Sequence, residues 1–100
     1  MSAIYQVPAE VVMAIVKDGD EIGWDEELQW LWTEHRTELL ELMDSVLADG
    51  FREPIFVGND GRLWDGHHRL AVALALRVPL PTEFAPEPPV PSTSREQPSE

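Results

Sequence analysis

Asp65-Gly66-His67-His68-Arg69 is the densest run of side chains in this sequence able to hold an anion or move a proton. It lies between a short apolar run, Arg62-Leu63-Trp64, and an alanine- and leucine-rich stretch that reaches Arg77, so the pattern predicts a strand, a tight turn and a buried helix. The start of such a helix leaves backbone N–H groups unpaired and carries the positive end of the helix dipole, an arrangement suited to phosphate. Gly66 permits close approach or an unusual backbone angle, and Arg69 offers a two-pronged grip on phosphate. The imidazoles of His67 and His68 can donate hydrogen bonds or transfer protons. Asp65 is the nearest oxygen ligand for a metal and the nearest carboxylate to orient a histidine. A competing reading makes the same run a structural turn, with Asp65 capping the helix and the histidines pairing locally. Adjacent helical positions diverge by about 100°, so His67 and His68 converge on one metal less readily than an i, i+4 pair, which disfavours zinc.

Other polar residues have plainer explanations. Asp60, within Asn59-Asp60-Gly61, reads as a turn residue, and Glu53 as a solvated charge at a strand edge. Arg52 and Arg62 flank the predicted strands and serve the surface, while Arg77 suits the negative end of the helix before it. His35 sits on an apolar helical stripe and reads as a packed or stripe-interrupting residue, outside the histidine pair. Of the four tryptophans, Trp24 and Trp32 are core candidates, Trp30 lies off the stripe as a partner-binding candidate, and Trp64 is placed to shield the phosphate loop.

The elements that must position these residues follow from periodicity and punctuation. Residues 4–16 predict a short strand and then a short helix, with Pro8 at the junction. Lys17 to Trp24 is a loop, after which Asp25 is expected to cap a helix whose first turn is acidic. Leu28, Leu31, Trp32, Leu39, Leu42, Met43 and Val46 form one stripe that ends at Gly50, carried either by a single helix over residues 25–49 or by two helices broken near His35 or Arg36. Pro54 to Val57 predicts a strand, and Val78-Pro79-Leu80 an exit into a final edge strand. The sum is an α+β domain over residues 1–85, followed by a proline-rich acidic tail over residues 86–100 expected to be disordered.

One hundred residues accommodate one compact domain and exclude a second sizeable one. The formal charge of −12 disfavours direct binding to nucleic acid, although it is concentrated in residues 1–50, with twelve acids against two bases, whereas residues 51–85 balance four against four. The absence of cysteine excludes disulfides, thiol catalysis and cysteine-held iron–sulfur clusters. Neither a membrane span nor a secretory signal is visible, and a cytoplasmic location is expected.

The order of segments from about Leu39 through PIFVGNDGRLWDGHHRLAVALALRVPLP resembles the ParB/sulfiredoxin superfamily, including small ParB-like nuclease domain proteins of phages and bacteria. The resemblance implies a short mixed sheet packed against helices, with nucleotide phosphates held by residues matching Gly66, His67, His68 and Arg69. It further implies Mg²⁺ and a nucleoside triphosphate as cofactors, Asp65 as the metal ligand, Arg69 stabilising developing charge and a histidine moving the proton. Sulfiredoxins carry a catalytic cysteine where His67 aligns, so their sulfur chemistry is not expected here. Partition proteins add a second phosphate motif, a helix-turn-helix and a dimerising region, for which 100 residues leave no room. Whether the core is an enzyme or a switch stays open at this stage. The alternative is an acidic protein-binding module, such as a phage protein that binds or inhibits a host protein without catalysis.

Overall fold

The computed structural model describes residues 3–19 and 22–86; the proline-rich tail expected from residue 86 lies, Pro86 apart, outside the described residues. The element order is β1 (Ile4–Pro8), α1 (Ala9–Ile15), α2 (Trp24–Glu34), α3 (Arg36–Asp49), β2 (Ile55–Val57), β3 (Leu63–Asp65), α4 (His67–Leu76) and β4 (Pro79–Phe84). The strands form one mixed sheet in the order β1-β4-β2-β3, in which β4 runs antiparallel to β1 and parallel to β2, and β3 closes an antiparallel hairpin on β2. The fold is therefore the α+β arrangement anticipated, with helices packed on a short mixed sheet. No described helix is long and apolar enough to cross a membrane.

Helix α4 is the centre of the molecule because it is apolar on two sides. Leu70 and Ala73 join Val12 and Val16, Ile55, Leu63 and Leu80 in a core between α1, α4 and the sheet. Ala71 and Val72 join Leu31, Leu39 and Val46 in a second core beneath α2 and α3. A helix buried this way needs small or aliphatic residues around most of its circumference, as the sequence LAVALAL supplies.

The long stripe predicted from Leu28 to Val46 is divided at His35, whose φ of −121° and ψ of 28° leave the helical region. Backbone bonding continues on both sides, His35 N–H donating to Leu31 and Leu39 N–H donating to His35, so the elbow redirects the chain without orphaning its turns. Leu31 before the elbow and Leu39 after it thus reach the same core. Gly50, with φ of 75°, ends α3 as anticipated.

Two expectations are corrected. Helix α2 begins at Trp24 with Gly23 as its N-cap, so Asp25 lies inside the first turn and is no cap. The carboxylate that gathers the residues before α2 is the buried Asp18, which accepts the N–H groups of Ile22 and Gly23 at 3.2 and 2.9 Å. Second, β4 is an interior strand rather than an edge, despite Pro79 and Pro81. Ala85 N–H donates to Val57 on β2, and by alternation Pro79, Pro81 and Glu83 turn the same way. Pairing with β2 starts only at Thr82, so both prolines fall where β2 offers no partner, and their missing N–H groups cost no ladder bond.

Candidate functional site

The turn into α4 is built by a glycine that nothing else can replace. Gly66 takes φ 110° and ψ 24° as the N-cap of α4, and a Cβ at this position would stand 2.5 Å from Ile55 Cγ2. The chain thus crosses from β3 into α4 pressed against β2, and no side chain caps the helix. This corrects the capping role read for Asp65. Its carboxylate instead accepts Arg69 Nη2 at 3.2 Å, an i, i+4 ion pair across the turn.

His67, His68 and Arg69 radiate from this helix end to three different neighbours, as their successive 100° rotation requires. His67 Nε2 accepts the N–H of Gly19 at 3.2 Å, which places that ring nitrogen in its unprotonated form and ties Gly19 to the helix start. Gly19 is itself confined, since a Cβ there would lie 2.7 Å from the Leu63 carbonyl oxygen. The indole of Trp24 lies beside the His67 ring at 6.1 Å and donates from Nε1 to Val16 O at 2.8 Å. Lys17 and Arg62 bridge in parallel, so the chain leading to Gly19 runs along the outer side of β3.

His68 turns to the α2–α3 elbow, where its Nε2 lies 3.1 Å from His35 Nδ1. One ring donates and the other accepts, so the pair is at ease with both rings neutral. Burial, reinforced by His35 beside it, pushes the His68 pKa below its ordinary 6.5. Trp30, half exposed, stacks on the far side of His35 with ring centroids 4.7 Å apart.

Arg69 takes the third direction. Its mostly buried side chain, 19% exposed, meets Asp65 at 3.2 Å and Glu53 at 3.8 Å, and its Nε is buried without a hydrogen-bond partner. Glu53 was read as a solvated charge, and it is exposed, but it also helps hold this guanidinium. Asp65 meets Arg69 through Oδ2 alone and is otherwise exposed, and among the described residues no group of three or more His, Asp or Glu is placed to hold a metal.

Trp64 does not cover this helix end. It lies across Gly58, where a Cβ would stand 1.9 Å from the ring, and beside Phe56, while its Nε1 donates to Asp60. Asp60 also accepts Arg62 N–H and is the turn residue the sequence implied, these bonds holding its pKa below the ordinary 3.8. Arg52 pairs with Asp49, and Arg77 closes α4 in the left-handed conformation.

Two members of this site escaped the sequence reading. His35 was set apart from the histidine pair, yet it is the residue that meets His68; Gly19 carried only the signal of a loop glycine, yet it latches His67. The chain matches no protein-family model, and no curated protein or solved structure matches it.

Proposed function

We propose that the chain is a ParB-like phosphate- or nucleotide-binding domain whose anion site is the N-terminus of α4. The observation that carries this reading is a helix start with no side-chain cap, seated through a positive-φ glycine, whose first three residues are His67, His68 and Arg69. N–H groups of a first turn and a guanidinium are complementary to phosphate oxygens, and the helix dipole adds about 0.3–1 kcal/mol for an anion there. The order of elements around the turn, and the sequence resemblance to the ParB/sulfiredoxin superfamily, favour the same reading. Magnesium, in this scheme, arrives on the nucleotide with Asp65, which meets Arg69 through one oxygen only, as its protein ligand. His67, as a neutral imidazole, is the group placed to donate to an anion or exchange a proton with it; hydrolysis is a further step that binding does not require.

Calorimetric titration with ATP, CTP, GTP and ADP in Mg²⁺ tests the assignment. Saturable binding to at least one nucleotide, weakened tenfold or more in R69A, is expected; no heat with any of the four overturns it. Phosphate release lost selectively in H68A would add catalysis, whereas binding without turnover would leave a switch. The Asp65→Asn variant separates the two roles of that carboxylate. If Asp65 only restrains Arg69, affinity rises; if it holds magnesium, affinity falls.

The alternative, an acidic module that docks on a basic partner protein, is favoured by one observation. Trp30, Leu40 and Leu47 are 48%, 45% and 69% exposed on helices that also expose Glu34, Glu38 and Glu41. Loss of a partner's binding in W30A, with nucleotide binding intact, would support it.

A further inference from the structure

Arg69 carries more donors than its partners use. A guanidinium presents five N–H groups in a fixed fork. Here Nη2 makes a hydrogen bond to Asp65 at 3.2 Å, whereas Nη1 stays 3.8 Å from Glu53, an ion pair without a hydrogen bond. Nε is buried with no partner, on a side chain that is itself mostly buried. Buried donors are paired in nearly all folded proteins, and one that belongs to a permanent cation calls for an acceptor. Arg69 also forms part of the wall of a cavity of about 260 Å³ between the second half of α3, residues 50–53 and the first turn of α4. Leu42, Val46 and Phe51 give this cavity an apolar lining, and Ser45 and Arg52 add donors to those of Arg69. Among the described residues two arginines and one acid, Glu53, line it, so the cavity is locally cationic in a chain of charge −12.

We propose that this cavity binds a small monocarboxylate, whose carboxylate accepts the Arg69 Nε–H and whose compact apolar body packs against Leu42, Val46 and Phe51. A carboxylate suits the orphan donor because a guanidinium can give it two parallel N–H bonds, one of them from Nε. The size of the cavity sets the body. At about 260 Å³ it falls below the roughly 300–1,000 Å³ of pockets for drug-sized ligands, which leaves room for a single ring or a short branched chain. Charge sets the valence. One net positive charge in the lining matches a monoanion, whereas a triphosphate would bring its further charges against Glu53 and against Asp49, which pairs with Arg52 at 3.0 Å. Glu53 is 75% exposed and makes no hydrogen bond to Arg69, so it can swing into solvent as the ligand enters. The site draws on no backbone N–H of α4, so it goes beyond the phosphate reading and stands without it.

Titration of the ¹⁵N-labelled chain with benzoate, followed at the Arg69 Nε–H and at the Ser45 and Phe51 amides, tests the site. Saturable shifts are expected, with a dissociation constant on the order of 1 mM. Acetate, which lacks the apolar body, and benzamide, which lacks the charge, are each expected to bind at least about tenfold more weakly. Glu53→Gln removes the competing carboxylate and is expected to tighten benzoate about threefold. Ser45→Trp fills the cavity and is expected to abolish the shifts. The gain in Glu53→Gln decides the matter if Ser45→Trp fails to fold. Absence of saturable shifts, acetate or benzamide binding as well as benzoate, an affinity unchanged in Glu53→Gln, or benzoate binding retained in folded Ser45→Trp would each overturn the proposal. ATP with Mg²⁺, titrated into the same sample, keeps the two readings apart. Benzoate binding without ATP binding supports the cavity and overturns the phosphate site, and ATP binding without benzoate binding does the reverse.

Discussion

Replacing Gly66 by alanine tests directly how the start of α4 is made. Two costs add at this position. A left-handed backbone costs a residue with a Cβ about 1–2 kcal/mol, and Gly66 has φ 110°. The new methyl would also meet Ile55, 2.5 Å from Cγ2 and 2.9 Å from Cβ, and Ile55 is fully buried on β2 with no room to retreat. Overpacking of that kind costs about 1–3 kcal/mol, so the total is about 2–5 kcal/mol. Gly50→Ala isolates backbone strain without a clash: φ is 75° and ψ −176° there, a nearly glycine-only region that costs about 1–3 kcal/mol, and nothing lies within 4 Å of the added Cβ. At about 4–8 °C per kcal/mol for a domain of this size, G66A is expected to lower Tm by about 8–40 °C and G50A by about 4–24 °C. Urea titration of both variants, with G66A/I55A completing a cycle, measures the difference. The double variant should be less destabilised than the two singles combined, because I55A removes the obstructing methyl. If G66A and I55A prove additive in the cycle, Ile55 yields freely and the turn has no rigid seat.

Three further perturbations probe the surrounding contacts. His68 binds its proton at a lower pH when folded than when unfolded, so its contribution to stability is complete above about pH 6.5, erodes as pH falls below that value, and is fully lost beneath its lowered folded pKa. H68N is expected to flatten that decline in urea midpoints between pH 7 and 5, and an unchanged slope would deny His68 the role. Gly58→Ala is expected to swing Trp64 off β2 and break its bond to Asp60, read as a shifted indole N–H resonance; an unmoved resonance would contradict the close packing. Asp18→Ala orphans the N–H groups of Ile22 and Gly23 and is expected to cost about 1–3 kcal/mol in urea unfolding, whereas a cost near zero would mean that the loop is held by other contacts.

What could be read from the sequence, and what could not, divides by distance along the chain. The β3–turn–α4 unit was legible because its signals are local: a short apolar run, a glycine at the turn and an alanine- and leucine-rich helix fall within fifteen residues, each setting its own backbone. A break near His35 was one of two readings the sequence allowed, since one unbroken helix would be long for the domain. The partners of the site were not legible. His67 meets Gly19 across 48 positions and His68 meets His35 across 33, and no periodicity within either segment encodes such a pairing. Proline misled for β4 because it removes one donor, and whether that donor matters depends on which way the residue faces and where the neighbouring strand begins. Pro79 and Pro81 face β2 below its first pairing position, a fact of register rather than composition. The same limit governs the charges. Asp65, Glu53 and Arg69 were weighed as separate candidates for metal, solvent and phosphate, but together the two carboxylates already hold the guanidinium. An incoming phosphate would therefore compete for Arg69 rather than find it idle, so the strength of any anion site at α4 turns on how readily those two exposed carboxylates let go.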